Sequence, residues 1–162
     1  CSAHETRKDE RAMPAPTPRT LNEFPQTTFD KLRYNDTDRQ GHVNNAVFAT
    51  LLESGRVEFL YAPEGALHDP GCAFVIASLN LSFLKEINWP GRVDIGTGVA
   101  DMGRSSFKLE QGLFQNGQCV ATAQTTIVQM NESTRRSHPL SAEAVQRLNG
   151  LKLTASAAQA TA

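Results

Sequence analysis

The sequence predicts an α+β fold in which an antiparallel sheet of about five strands wraps around one long helix. Three observations predict it. One segment, from Asn44 to about Leu60, carries its apolar residues on a single helical face. The segments after it alternate apolar and polar residues and are separated by turn signals. The 162 residues make one domain, so the sheet must bury its apolar face against that helix.

The first half of the chain predicts a strand, the helix and a second strand. Residues 26–35 alternate loosely and predict the first strand. Asn44 is a good N-cap because its side chain can accept a first-turn N–H, and Pro63 and Gly65 break the helical pattern. Residues 72–88 form a long apolar run that ends in alternation at Leu79, Leu81 and Phe83.

Turn signals divide the second half into three more strands and a closing helix. Pro90-Gly91 predicts a turn before a strand over 93–99, and Met102-Gly103-Arg104 predicts a turn before a strand over 107–113. Asn116-Gly117 predicts a turn before the last strand, over 118–130. Asn-Gly is the strongest of these signals, because both residues tolerate the positive φ angles of a tight hairpin. Residues 141–149 predict a short helix.

The two ends of the chain predict no packed structure. Residues 1–25 are polar, contain four prolines and show no period, so we expect a flexible arm there. The domain is expected over residues 26–150, with a tail over 151–162. The chain begins at Cys1, as a mature lipoprotein would, but no signal-peptide core is visible; Met13 is a plausible natural start.

Composition excludes several functional classes. A net charge of −1 predicts no binding to nucleic acid or to an anionic membrane, and no apolar run approaches the length of a membrane helix. Three cysteines at wide, unpatterned spacing are typical of a reducing compartment, so we expect a cytoplasmic protein. No metal-ligand spacing and no glycine-rich phosphate loop is present, and we expect no cofactor.

The stretch DTDRQGHVNN, residues 36–45, crowds polar side chains at the entrance of the helix. A helix N-terminus presents unpaired N–H groups and a partial positive charge, which suits an oxyanion. The N–H groups of residues 43–47 are therefore candidate donors, with Asn45 first among them. Gly41 lets the chain turn sharply and brings a substrate close to the backbone. Asp38 can supply a carboxylate that attacks a carbonyl or activates water.

The same residues also have a purely structural interpretation. Aspartate and asparagine are common before helices because they cap and turn, and Asp36 is interpreted as such a turn residue. A single loop histidine such as His42 more often makes a hydrogen bond than catalyses a reaction. Spacing alone does not decide between the two interpretations.

A family resemblance favours catalysis. Residues 33–59, RYNDTDRQGHVNNAVFATLLESGRVEF, resemble the signature of hotdog-fold thioesterases of the 4-hydroxybenzoyl-CoA thioesterase type, and HVNN also resembles plant acyl-ACP thioesterases. The similarity continues more weakly through IASLNLSFLKEINWPG and GRSSFKLEQGLFQNGQCVATA, so it covers roughly 26–140. It implies a hotdog fold and hydrolysis of an acyl thioester.

The resemblance implies a role for each matching residue. Asp38 matches the catalytic carboxylate, and Asn45 matches the position whose backbone N–H polarises the thioester carbonyl. His42 matches the histidine of the plant pattern, but Gln40 stands where those enzymes have asparagine, so their full constellation does not carry over. Glu53 occupies the helix position at which another hotdog branch has its catalytic glutamate.

Of the two carboxylates, Asp38 is the preferred catalyst. Glu53 lies two turns from the helix start, about 12 Å along the axis, so it cannot reach the same carbonyl as directly. At 100° per residue, Asn45, Ala49, Glu53 and Arg56 are expected on the polar side of the helix. Glu53 can also simply pair with Arg56 at i,i+3.

The resemblance extends to substrate and partners. It implies an acyl-CoA substrate, or alternatively an acyl-carrier protein, with a pocket formed between the subunits of a homodimer or homotetramer. In the related enzymes the neighbourhood of Arg104, Ser105 and Ser106 lines the acyl-CoA site. Two other classes stay open: a hotdog hydratase or dehydratase acting on acyl thioesters, and a non-catalytic acyl-thioester-binding protein.

Overall fold

The computed structural model describes residues 18–154. Its elements are β1 (Gln26–Lys31), α1 (Asn45–Leu60), β2 (Cys72–Phe83), β3 (Arg92–Met102), β4 (Ser106–Gln115), β5 (Gln118–Asn131) and α2 (Ala142–Asn149), with 3-10 turns at Leu21–Glu23 and Tyr34–Asp36. The predicted order of one strand, a long helix, four strands and a closing helix is confirmed. The first strand ends earlier than predicted because residues 34–36 turn. Neither helix in this range is long and apolar enough to cross a membrane.

All five strands form one antiparallel sheet in the spatial order β1-β3-β4-β5-β2. The long helix α1 packs against β1, β3 and β4, so it covers one face of the sheet over these three strands. The edge strand β2 lies beyond the helix. This arrangement confirms the predicted α+β class and is the hotdog architecture.

Gly55 allows α1 to lie close to the sheet. A Cβ atom at this position would stand 2.7 Å from Ile95 Cγ2 and 2.9 Å from Gln111 Nε2, which is closer than real side chains approach. The absence of a side chain therefore sets the distance between helix and sheet, and with it the height of the helix start above the strands.

Gly55→Val is expected to destabilise the protein by about 1–3 kcal/mol, because overpacking forces the helix or the strands to move. Equilibrium denaturation at a fixed protein concentration measures the change in the free energy of unfolding. Ser54→Val places the same β-branched side chain at a half-buried position one residue away and should cost much less. Because glycine is a poorer helix former than valine, propensity alone favours Gly55→Val, so a variant as stable as the wild type would contradict the close approach.

The interior divides into two apolar clusters along α1. The first cluster lies under the start of the helix and contains Leu32, Val43, Phe48, Leu51, Leu52, Ile87, Val93, Ile95, Leu113, Val120, Ala121 and Ala123. The second cluster lies under its end, joins α2 to the sheet and contains Phe59, Leu60, Leu67, Val99, Phe107, Leu109, Ile127, Leu140, Ala144 and Leu148. The first cluster supports the helix entrance.

The described part of the predicted N-terminal arm packs on the sheet. Phe24 is buried, and its ring lies against Gly96 and meets Phe114 edge to face at 6.1 Å. Arg19 Nε donates to Glu110 at 2.9 Å. The packed structure therefore begins before Gln26, because Gly96 and Gly112 leave room for the Phe24 ring on the outer face of the sheet. Residues 1–17 of the arm and 155–162 of the predicted tail lie outside the described residues.

Candidate functional site

The loop before α1 is held by a buried aspartate. Asp36 is 6% exposed, and its carboxylate accepts hydrogen bonds from the backbone N–H of Arg33 at 2.8 Å and from the Arg33 guanidinium at 3.1 Å. Its backbone carbonyl accepts from Asn44 N–H at 2.8 Å. Asp36 thus ties both ends of the loop together, which agrees with its interpretation as a turn residue.

Asp38 lies at the exposed tip of this loop. Its Oδ1 atom accepts from the backbone N–H groups of Gln40 at 2.8 Å and His42 at 3.2 Å. Gly41 has φ +83°, which closes the turn, and its N–H donates to the Asp38 carbonyl at 3.0 Å. The other carboxylate oxygen, Oδ2, accepts no hydrogen bond from residues 18–154. The loop therefore fixes the orientation of the carboxylate while leaving one oxygen for chemistry.

The start of α1 leaves one backbone donor unused. Asn44 is the N-cap, as predicted, and its side chain accepts from Ala46 N–H at 3.0 Å. Val43 N–H donates to the Ile87 carbonyl at 3.0 Å, and Val47 N–H donates to the Asn44 carbonyl at 2.9 Å. Asn44 N–H is bonded to Asp36. Of the five donors from 43 to 47, only Asn45 N–H has no hydrogen bond to residues 18–154, so it is available to an oxyanion.

His42 is anchored from the opposite side of the site. Its Nε2 atom lies 3.0 Å from Glu86 Oε2, and its backbone pairs with Asn88 in an isolated bridge. Because both partners come from the segment after β2, this contact holds the helix entrance against the end of the edge strand. His42 is half-buried, whereas Glu86 is largely exposed.

These residues share one open cavity of about 380 Å³. It is lined by Asp38, Gln40, His42, Val43, Asn45, Phe48, Phe83, Leu84, Lys85 and Glu86. The Phe48 and Phe83 rings meet edge to face at 4.9 Å and form its apolar wall. The cavity therefore combines an ionisable carboxylate, an unused helix-start N–H and an apolar surface, which are the parts that acyl transfer requires.

The second carboxylate does not enter this cavity. Glu53 is exposed on α1 and forms no ion pair with Arg56, contrary to the pairing considered from sequence. The expected position of Arg56 on the polar side of the helix was wrong. Arg56 is only 5% exposed, and its Nη1 donates to Gln111 Oε1 on β4 at 3.3 Å. The buried face of α1 is therefore wider than its apolar residues indicate.

The predicted substrate-binding serines lie at the other end of the sheet. Phe83, which lines the cavity, shares a cross-strand row with Ala121 on β5 and Leu113 on β4. Ser106 lies seven residues from Leu113 along β4, about 23 Å away. Backbone bonds tie Ser105 to Gln129, and Arg104 to Leu140 near α2. Within one chain, the Asp38 cavity is therefore far from Arg104, Ser105 and Ser106. Gly41, the other predicted substrate-binding residue, lies in the same loop as Asp38.

Sequence reasoning missed the apolar wall of the cavity and Glu86. Phe83 follows the alternation that predicts a core residue, yet it is 50% exposed because β2 is an edge strand beyond the helix. Glu86 had no local signal, since its partner His42 is distant in sequence and both lie in loops. Only the spatial order of the strands reveals these neighbours.

Comparison with known proteins identifies the family of this chain. The family model described as the thioesterase-like superfamily matches residues 32–148. No curated protein matches at a significant level. Among solved structures, a Pseudomonas aeruginosa protein is 22% identical, with a TM-score of 0.73, over 84% of this chain and 97% of its own. This similarity is one of fold.

Two further solved structures are more similar in sequence. One is a thioesterase from Thermus thermophilus complexed with coenzyme A and Zn, at 28% identity and TM-score 0.71 over 82% of this chain and 97% of its own. The other is a predicted thioesterase from Bacillus stearothermophilus, at 25% identity and TM-score 0.72 over 80% of this chain and 97% of its own. With the family model matching most of its length, the chain belongs to the thioesterase-like superfamily.

Proposed function

We propose that this protein is an acyl-CoA thioesterase that hydrolyses a fatty or aromatic acyl-CoA to the free acid and CoA. The observation that carries the proposal is the unused Asn45 N–H at the start of α1, opening into the same cavity as the Asp38 carboxylate. The thioester carbonyl would lie between them, with its oxygen on the N–H and its carbon facing Asp38 Oδ2. The T. thermophilus structure with bound coenzyme A supports a CoA thioester as the substrate.

The developing oxyanion would be stabilised by the helix start. Asn45 N–H donates to it, and the partial positive charge of the helix N-terminus adds to the effect. A donor of this kind contributes on the order of 100–1000-fold to kcat. Its position is set by the Asn44 cap and by the bond from Asn44 N–H to the Asp36 carbonyl, so little reorganisation is needed during the reaction.

Asp38 would carry out the chemical step by one of two routes. In the first, Oδ2 attacks the carbonyl carbon, the carbon–sulfur bond breaks, CoA leaves as thiolate, and water hydrolyses the resulting mixed anhydride. In the second, Asp38 takes a proton from water, whose oxygen attacks the carbon directly; the carbon–sulfur bond then breaks, which gives the free acid and CoA thiolate. The thiolate leaves readily, so neither route needs a strong general acid. The backbone N–H of His42 acts as a positioning group, since it holds Asp38 Oδ1.

A thiol-release assay tests the proposal. The wild-type protein is expected to release CoA thiol from at least one member of a panel of short, long and aromatic acyl-CoAs, with free acid formed in equal amount. Acyl-carrier-protein thioesters form a second panel. Hydration of an enoyl-CoA without thiol release would indicate a hydratase, and binding without turnover would indicate a binding protein. Either result would overturn the proposal.

We propose that the working form is a homodimer formed through β2. This edge strand has 12 residues. Two of its apolar side chains are largely exposed, Ile76 by 51% and Leu79 by 41%. A long apolar edge strand with unpaired backbone groups is a template for pairing with another chain. A second copy paired with β2 would cover this strand and bring further side chains towards the Asp38 cavity.

Ile76→Lys is expected to weaken the dimer at least tenfold, because a charge on an edge strand opposes pairing. Sedimentation equilibrium should give the wild type about twice the 17.7 kDa chain mass and the variant a concentration-dependent shift towards one copy. Val57→Lys, at an exposed position on α1, is the control and should leave the mass unchanged. A monomeric wild type, or a dimer indifferent to Ile76→Lys, would contradict the interface.

We also propose that the protein works in the cytoplasm. Cys72 and Cys119 are both free thiols, and burial raises the pKa of each. They therefore stay protonated and unreactive, as expected for core cysteines in a reducing compartment. Fractionation of the source cells with an antibody to the chain tests this location.

A further inference from the structure

Glu86 lines the Asp38 cavity and contacts the loop that carries Asp38, residues 37–42, which we call the Asp38 loop. Glu86 Oε2 lies 3.0 Å from His42 Nε2, and the two side chains are exposed by 67% and 34%. So exposed a contact adds little to the stability of a protein, because water competes for both groups. What the contact can affect is the geometry of the cavity that both residues line.

The main chain of His42 holds Asp38 from two sides. Asp38 N–H donates to the His42 carbonyl at 2.7 Å, and His42 N–H donates to Asp38 Oδ1 at 3.2 Å. Both hydrogen bonds depend on the backbone torsion angles of His42, so a rotation of that residue displaces the Asp38 carboxylate. The orientation of Asp38 Oδ2 therefore depends on how firmly His42 is held.

The other side chains of the Asp38 loop make only local contacts. Thr37 Oγ1 donates to the Tyr34 carbonyl at 2.7 Å, within the adjoining turn. Arg39 and Gln40 are exposed, and their side chains form no hydrogen bond or ion pair with residues 18–154. Within that range, the contact between His42 and Glu86 is the single polar side-chain link from this loop to any residue outside 34–45.

Backbone contacts anchor the end of the loop to the same segment. Val43 N–H donates to the Ile87 carbonyl at 3.0 Å, and His42 pairs with Asn88 in the isolated bridge. Val43 and Ile87 are buried in the first cluster, so this end of the loop is fixed. Among these contacts, only the one from Glu86 is made by a side chain of the segment. It can therefore be removed while the backbone contacts stay in place.

The Glu86 carboxylate also restrains the His42 ring. An ionised carboxylate accepts hydrogen bonds but donates none, so it favours a ring that carries a proton on Nε2. Without Glu86, the ring is free to turn about its side-chain torsion angles, because no other polar group in residues 18–154 contacts it. The contact thus restrains both the conformation and the tautomer of His42.

We propose that Glu86 is a positioning residue for thioester hydrolysis, which acts on Asp38 through His42. By holding the His42 ring, it restrains the His42 main chain and keeps Asp38 Oδ2 directed at the carbonyl carbon. Glu86 itself touches no reacting atom. The inference rests on the proposed function and adds to it a residue from the segment after β2. Displacing a catalytic group by about 1 Å can cost on the order of 100-fold in rate, so losing one of several contacts should cost about tenfold.

Thiol release from the best acyl-CoA substrate gives the first test. Glu86→Ala is expected to lower kcat about tenfold and to leave KM within a few-fold of wild type, because Asn45 N–H and the apolar wall are unchanged. Glu86→Gln keeps an oxygen that can accept from His42 Nε2–H, so it should recover most of the lost kcat. Glu132→Ala removes an exposed glutamate outside the cavity and should match the wild type. Equally large losses in Glu86→Ala and Glu86→Gln would overturn the inference.

A double-mutant cycle tests whether Glu86 acts through His42. His42→Ala keeps the main chain and removes the ring, and it is expected to lower kcat at least as much as Glu86→Ala does. In the His42→Ala background, Glu86→Ala should have no further effect, because the contact is already lost. Losses that multiply in the double variant would mean that the two residues act separately, which contradicts the inference.

Hydrogen exchange tests the loop without any substrate. In Glu86→Ala, the His42 N–H should exchange faster than in the wild type, whereas the Val43 N–H bonded to Ile87 should keep its rate. A wild-type exchange rate at His42 would show that the ring does not hold the loop, and would overturn the inference. Because the contact is exposed, the thermal midpoint of Glu86→Ala should stay close to that of the wild type.

The inference and the proposed function fail in different ways. If the wild type hydrolyses an acyl-CoA and Glu86→Ala is equally fast, only the inference falls. If the wild type releases thiol from no acyl thioester, the proposed function falls, and the positioning role falls with it whatever the exchange rates are.

Discussion

Asp38→Asn is expected to lower kcat for thioester hydrolysis by about 100–10,000-fold, the range that a general base contributes. The substitution preserves the loop, because the asparagine Oδ1 can still accept from the N–H groups of Gln40 and His42. It replaces the other oxygen by an amide nitrogen, which can neither attack a carbonyl nor accept a proton from water. Thiol release at saturating substrate, on protein with an unchanged circular dichroism spectrum, measures the effect.

Glu53→Gln is the matched control for this prediction. It removes the second carboxylate that the family resemblance suggests, at an exposed position outside the cavity, and is expected to leave kcat within a few-fold of wild type. If Glu53→Gln abolished turnover while Asp38→Asn kept it, the catalytic carboxylate would be on the helix. In that case a second copy would have to bring its thioester to Glu53.

Asn45→Pro is expected to lower kcat about 100–1000-fold by deleting the oxyanion donor. Proline has no N–H, and position 45 is the first residue of α1, where proline is well tolerated. The preceding residue, Asn44, has φ −60° and ψ 139°, a conformation that a following proline accepts. The helix and its cap should therefore remain, while the N–H donor is lost together with the side-chain amide.

Asn45→Ala separates the backbone from the side chain. It keeps the N–H and removes the amide, so its kcat should stay close to wild type if the donor is the backbone group. Equal losses in the alanine and proline variants would assign the effect to the side chain. Full activity in Asn45→Pro would remove this N–H from the mechanism, and thermal unfolding of each variant shows whether α1 is intact.

The local elements of this fold are predictable from sequence because their signals are local. The Asn44 cap, the apolar face of α1 and the Asn116-Gly117 hairpin each depend on residues a few positions apart. The same holds for the helix entrance, where Asp38, Gly41 and Asn45 are ten residues or fewer apart and were expected to lie together. Short-range geometry connects these residues without any knowledge of the sheet.

The parts that sequence did not predict depend on strand order. Alternation places Phe83 on the same face as the core residues, but only the edge position of β2 decides that it stays exposed. Arg56 follows the same logic, since it is buried where α1 lies against the sheet, beside the close approach of Gly55 to Ile95 and Gln111. The contact between His42 and Glu86 joins two loops, for which no periodic pattern exists.

The division of the interior into two apolar clusters has a consequence for how this protein can evolve. The first cluster supports the cavity at the helix entrance, whereas the second holds α2 and the far end of the sheet, and they share no residue. Substitutions at distant sites without common partners act almost independently on stability. A lineage can therefore change the half that carries the cavity through mutations that weaken it, while compensating mutations arise in the other half and leave the changed cavity untouched.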